Sequence, residues 1–115
     1  RPAEWTYRRR ELPVEIVSEY QQWRQIRDMD GTVGWVHAAT LTGRRTFVVK
    51  AAEAMMRRRP EADAAPVARL MPGVVGRIRA CAAGAAWCEV QAGEYRGYVL
   101  RSGIWGLSAE ENVGG

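Results

Sequence analysis

Two stretches decide how this chain folds: Gly34-Trp35-Val36-His37-Ala38-Ala39-Thr40-Leu41-Thr42-Gly43 and Gly97-Tyr98-Val99-Leu100-Arg101-Ser102-Gly103-Ile104-Trp105-Gly106. Laid over one another at an offset of 63, they share a Gly, an aromatic, a Val, a later aliphatic and a closing Gly. Upstream, Trp23-Arg24-Gln25-Ile26-Arg27 matches Trp87-Cys88-Glu89-Val90-Gln91, with the connecting turn one residue shorter in the second copy. Further back, Leu12-Pro13-Val14-Glu15-Ile16 aligns with Val74-Val75-Gly76-Arg77-Ile78, to within one residue of register. A period of this size is too long for a solenoid repeat, so the pattern implies two small domains in tandem.

Each copy has the pattern of short strands. Leu12, Val14 and Ile16 alternate with Pro13, Glu15 and Val17, a half-buried strand pattern. Trp23 to Arg27 is a second strand, and Asp30-Gly31 is a tight-turn signal leading into a third, Val33 to His37. Ala92-Gly93-Glu94 is the matching turn in the second copy, and Leu41 and Ile104 each follow a short polar stretch that fits one turn of 3₁₀ helix. One segment conflicts with this scheme. Ala51 to Arg59 has high helix propensity and would end before Pro60. The repeat requires a strand instead, around Met55 to Arg57, followed by a loop from Pro60 to Pro66.

The 115 residues allow one ordinary domain or two very small ones, and an apolar fraction of 47% excludes a disordered chain. No apolar run approaches the ~18 residues that indicate a membrane-spanning helix. The chain opens at Arg1 without an initiator Met or signal peptide, which fits a mature or trimmed chain. Net charge is +4, and Lys50 is the only lysine. The runs Arg8-Arg9-Arg10, Arg44-Arg45 and Arg57-Arg58-Arg59 are either solvated loops and charge-protected strand edges or anion sites, and the first reading is preferred.

The order of features resembles the bacterial SH3-like (SH3b) domain family. Trp23-Arg24-Gln25-Ile26 with Gly34-Trp35-Val36, and Trp87-Cys88-Glu89-Val90 with Gly97-Tyr98-Val99, carry the match. Arg57-Arg58-Arg59-Pro60 stands where the family has an Arg-x-Gly-Pro loop, without the Gly. The tandem arrangement is similar to exported bacterial SH3-domain proteins. The resemblance implies an all-β fold of two tandem SH3-like small β-barrels, the first lacking its N-terminal strand. The boundaries are a first barrel over 1–45, a linker over 46–54, a second barrel over 55–107 and a C-terminal tail over 108–115. A barrel without its first strand exposes an edge near Val14 to Val17. Thr46 to Lys50, a partner chain (a homodimer included) or residues beyond this chain would cover it.

Cys81 and Cys88 flank the Ala82–Trp87 segment. They are either a disulfide or two buried thiols, and the disulfide is the preferred reading because small exported domains need such staples. A loop this short makes it worth about 2.5 kcal/mol in the chain-entropy model. No metal site is expected, since one histidine and no CxxC motif cannot complete a tetrahedral zinc set. No catalytic residue or cofactor is expected either: phosphate- and dinucleotide-binding glycine loops are missing, and His37 is read as a strand-end residue because its counterpart is Leu100.

Aromatics are the informative side chains. SH3-type domains dock extended peptides in aromatic-lined grooves, so the resemblance points to Tyr7, Tyr20, Trp23 and Trp35 of the first copy as ligand-binding. The expected function is a non-enzymatic binding module of the bacterial cell envelope, periplasmic or secreted, taking peptidoglycan peptides or an envelope protein. The alternative is a cytoplasmic barrel binding single-stranded nucleic acid by stacking and phosphate contacts. The small net charge and the expected disulfide count against nucleic acid, and an enzyme would have only the lone His and the thiols to draw on.

Overall fold

The computed structural model describes residues 12–50 and 52–114. It is all-β, with two single-turn 3₁₀ segments as its only helical residues among those described. The strands are β1 (Glu15–Tyr20), β2 (Trp23–Arg27), β3 (Val33–His37), β4 (Thr46–Val49), β5 (Ala54–Arg57), β6 (Pro66–Leu70), β7 (Val75–Ala80), β8 (Trp87–Ala92), β9 (Tyr95–Leu100) and β10 (Ile104–Trp105). They form a three-stranded sheet, β1-β2-β3, and a seven-stranded sheet in the order β10-β4-β7-β8-β9-β5-β6.

The duplication seen in the sequence is present in the hydrogen-bond register. β1-β2-β3 and β7-β8-β9 are both antiparallel three-strand meanders. Each carries a bulge at the same place: Ile16 faces Ile26 and Ser18 faces Gln25, while Ile78 faces Val90 and Ala80 faces Glu89. The bulged residues are therefore Val17 and Arg79. This fixes the register of the first strand: Ile16 corresponds to Ile78. Both meanders run into a 3₁₀ turn, Ala38–Thr40 in one and Arg101–Gly103 in the other.

Alternation explains which side is inside. Along β8, Cys88, Val90 and Ala92 are buried and Trp87, Glu89 and Gln91 are not, the period of two that a pleated strand imposes. Val90 and Val99 are buried in the seven-stranded sheet, and Ile26 and Val36 are buried at the corresponding positions of the first. A single apolar cluster includes Phe47, Met56, Leu70, Ile78, Val90, Val99 and Ile104, which come from all seven strands. Two glycines allow the tight approaches around it. A Cβ on Gly97 would lie 2.6 Å from the Arg57 carbonyl oxygen, where β5 crosses β9, and one on Gly76 would lie 2.6 Å from the Phe47 ring.

Turn chemistry is local. The Asp28 carboxylate accepts hydrogen bonds from the backbone N–H of Asp30 (2.9 Å) and of Thr32 (2.8 Å), and Gly31 has φ +87°. Aspartate closes turns this way because its short side chain mimics the backbone. Gly93-Glu94 closes the β8–β9 hairpin, with Gly93 at φ +60°.

Several expectations change. The stretch 46–49, expected as linker, is β4, paired with β7 and β10 and buried along its whole length. Thr-Phe-Val-Val is a β-branched and aromatic run suited to a strand buried on both faces, but the repeat comparison offers it no counterpart within the first copy. It lies in the second sheet, so it does not cover the edge of β1; among the described residues β1 pairs only with β2. β1 itself lies three residues later than the Leu12–Val17 pattern implies, and all of it is exposed. The segment expected as a tail is tied in: Val113 is buried and bridges Cys81 through two backbone hydrogen bonds. The conflict at 51–59 resolves as a strand, β5, with the chain turning before β6 begins at Pro66. Helix propensity there is overridden because Ala54 and Met56 alternate into the core.

Candidate ligand-binding face

The outer face of β1-β2-β3 collects most of the aromatic residues singled out above. In the register, Trp23 stands between Tyr20 on β1 and His37 on β3. These three side chains form one row across the sheet, with neighbours on adjacent strands about 5 Å apart. Trp23 and His37 meet edge to face, ring centroids 5.4 Å apart and planes at 77°. Two residues along, at a rise of about 7 Å, Trp35 faces Gln25. A third row pairs Arg27 with Glu15 and Val33, and the Arg27 guanidinium donates to the Glu15 carboxylate at 2.6 Å. The face thus grades from aromatic, through aromatic and amide, to an ion pair.

These rings are open to solvent: Tyr20 is 64% exposed, Trp23 45% and Trp35 39%. Exposed indoles and phenols offer large flat apolar area with a polar edge, which suits stacking on a peptide or sugar face. The opposite side of the same sheet holds Ile26 and Val36, both buried. The structure therefore places Tyr20, Trp23 and Trp35 on one face. Tyr7 lies outside the described residues.

His37 is the strand-end residue that the sequence implies, and it has a further part. Its Nδ1 accepts the backbone N–H of Ala39 at 3.0 Å and caps the 3₁₀ turn. This leaves Nε2 as the donor beside Trp23. The signal for its place in the row is the pairing of Trp23 with His37, which requires the length of the β2–β3 turn to be known. Beneath the row, Arg24 reaches Glu19 at 3.8 Å and donates to the carbonyl of Gln21 at 2.8 Å, where Gln21 turns the chain with φ +52°.

The cysteines form a disulfide, Cys81–Cys88, and both are buried. Trp105 lines a small pocket at the junction of the two copies with Val14, Glu15, Arg45 and Glu111. Here the Arg45 guanidinium pairs with Glu111 and donates to the Gly106 carbonyl at 2.7 Å. The hydrogen bond from Arg45 holds the Glu111 carboxyl below its usual range, against an opposing effect of burial, and the same bond raises Arg45. The pocket encloses about 230 Å³. Small-molecule sites start at about 300 Å³, and the charges of this pocket already satisfy each other. Among the described residues no group of three or more His, Cys, Asp or Glu side chains is placed to hold a metal ion, and no helix is long and apolar enough to cross a membrane.

Two antiparallel meanders, each with a bulge at the same position and each ending in a 3₁₀ turn, define a duplicated small β-domain. The family model for the bacterial SH3 domain matches the chain over residues 2–43 and again over 50–106. The chain belongs to the bacterial SH3 domain family. Among solved structures, that of NlpC2 from Trichomonas vaginalis aligns with a TM-score of 0.45 and 13% identity, over 80% of this chain and 34% of the other. The chain thus spans about a third of the length of that protein. No curated protein matches the chain.

Proposed function

We propose that this chain is a non-catalytic binding module of the bacterial cell envelope, built from two SH3-like barrels. Its ligand is a peptide of peptidoglycan or an extended segment of an envelope protein, held on the outer face of β1-β2-β3. The observation that carries this reading is the exposed row Tyr20–Trp23–His37 with Trp35 behind it, on a sheet whose other face is buried. Membership of the bacterial SH3 family supports the compartment, and so does a buried disulfide, which persists where the surroundings are oxidising. A periplasmic or secreted location is the reading that these two facts support together. The neutral edge of the face, where Glu15 pairs with Arg27, favours an uncharged or zwitterionic peptide over a polyphosphate strand.

Sedimentation with purified sacculi tests the reading. The full chain co-sediments at both low and high salt, because stacking is little screened, whereas nucleic-acid binding falls steeply with salt. Trp23→Ala lowers retention by about tenfold, the effect of removing one stacking interaction. Absence of retention by the parent chain, or retention unchanged in Trp23→Ala, would remove the wall-binding reading; pull-down of an envelope protein dependent on Trp23 would keep the face and replace the ligand.

A further inference from the structure

We propose that the hollow between β4, β7 and β8 is an oxyanion subsite that takes a carboxylate or phosphate group. It lies on the seven-stranded sheet and is independent of the aromatic face. It is open to solvent, with a volume of about 350 Å³, and is lined by Val75 as well as by Arg44, Thr46, Gly76, Arg77, Gln91 and Gly93. Among the described residues no carboxylate lines it.

The arginines differ in what they pair with. Arg24, Arg27, Arg45, Arg59, Arg69 and Arg96 are each ion-paired, and Arg57, Arg79 and Arg101 donate to carbonyl or amide oxygens. Among the described residues, the side chains of Arg44, Arg58 and Arg77 make no such contact with another described residue. Two of these three line the same hollow. Thr46 and Arg77 are register partners on β4 and β7, and Arg77 in turn faces Gln91 on β8. Arg44, just before β4 begins, lines the same hollow. Two guanidinium groups brought together without a carboxylate repel each other, and an oxyanion between them relieves that repulsion through paired N–H donors.

Thr46 adds a hydroxyl to the same lining. It is the one buried polar residue among those described, 8% exposed, and it lines this hollow. Its hydroxyl makes no hydrogen bond to another described residue. An anion oxygen there supplies the acceptor that such a hydroxyl ordinarily has. Gln91 is held in place by its own contacts, accepting from Arg79 at 3.3 Å and donating to the Gly93 carbonyl at 3.3 Å. Arg44 and Arg77 are both exposed and line this same hollow.

The test is a titration of the isotope-labelled full chain with inorganic phosphate, with acetate in a parallel arm and ionic strength matched by sodium chloride. Amide signals of Thr46, Arg77 and Gly93 shift and saturate with at least one of the two anions. Saturation by phosphate alone assigns a phosphate group; saturation by acetate alone assigns a carboxylate; both support the subsite. Arg77→Gln weakens binding at least about fivefold, and Arg44→Gln with Arg77→Gln abolishes saturation, since each charge-assisted pair is lost. Arg58→Gln, an exposed arginine away from the hollow, leaves the affinity unchanged, and Thr46→Val weakens it without removing it. Shifts that never saturate with either anion, or an affinity unaltered in the double variant, overturn the proposal. Trp23→Ala does not alter anion binding, so this subsite and the aromatic face fail or survive separately.

Discussion

The β1-β2-β3 and β7-β8-β9 meanders share a register, a bulge and a terminal 3₁₀ turn, yet matched positions carry different chemistry. Glu19 and Arg24, a weak surface ion pair 3.8 Å apart, correspond to Cys81 and Cys88, a buried disulfide. His37, which caps its 3₁₀ turn beside Trp23, corresponds to Leu100. Ala38 corresponds to Arg101, whose guanidinium donates to the carbonyls of Ala82, Ala85, Ser108 and Glu111 at 2.6–3.1 Å. Those bonds tie the loop between the cysteines to the C-terminal segment. The second copy is stapled at the places where the first displays side chains. Of the large apolar residues that are exposed among those described, Ile16, Val17, Tyr20, Trp23, Val33 and Trp35 belong to the first copy, against Met71, Tyr95 and Leu100 in the second. One duplicated scaffold thus contains an anchor and a display surface, and the comparison favours the copy with fewer ties as the ligand face.

The comparison can be broken most severely at the buried pairs. Ile26→Ala and Val90→Ala remove corresponding core side chains, and each lowers stability by about 2–4 kcal/mol in denaturant titration. An Ile26→Ala variant as stable as the parent would show that the inner face of the first sheet is not a core. The staple comes next. Cys81→Ser with Cys88→Ser costs about 2.5 kcal/mol, and Glu19→Ala at the corresponding site costs less than about 1 kcal/mol. Equal losses in melting temperature would mean that the two hairpins are held alike. Third, Trp23→Ala lowers ligand retention about tenfold with little change in melting temperature, and Trp87→Ala has the reverse pattern, because Trp23 is exposed whereas Trp87 is half-buried. Loss of retention in Trp87→Ala alone would move the binding face to the second copy.

The smallest effect concerns Arg45 and Glu111. A carboxyl held below its ordinary value in the folded state stabilises the fold above its unfolded value, and that contribution is lost as pH falls through the folded value. Stability therefore declines from about the ordinary value of 4.5 downward. Both side chains are about a third exposed, so solvent screening keeps the contribution under about 1 kcal/mol. Glu111→Gln flattens this part of the pH–stability curve, and an unchanged acid limb would show that the pair does not couple to folding.

Much of the fold was legible because the repeat converts weak local signals into a fixed pattern. Gly34-Trp35-Val36 alone is a short motif; matched to Gly97-Tyr98-Val99 it fixes a strand, its inward Val and the 3₁₀ turn beyond. The same logic overrules helix propensity at Met55 to Arg57. It fails where the copies differ. β4 has no counterpart among the described residues of the first copy, so Thr46–Val49 reads as a linker, and the hollow it builds with Arg77 and Gln91 is invisible in the sequence. Arg44 looks like one of several surface arginines, because ion pairing with distant glutamates cannot be read from neighbours in the chain.

The order of residues by itself determined the duplication, the strands around Trp23 to Arg27 and Val33 to His37, and the candidacy of Tyr20, Trp23 and Trp35. Tertiary structure alone decided that β4 joins the second sheet, that Val113 bridges Cys81, and that His37 completes the aromatic row while Arg44 and Arg77 line one hollow with Thr46. The reason is physical: period and propensity act between near neighbours along the chain, whereas strand pairing joins residues dozens of positions apart and depends on which buried surfaces fit together.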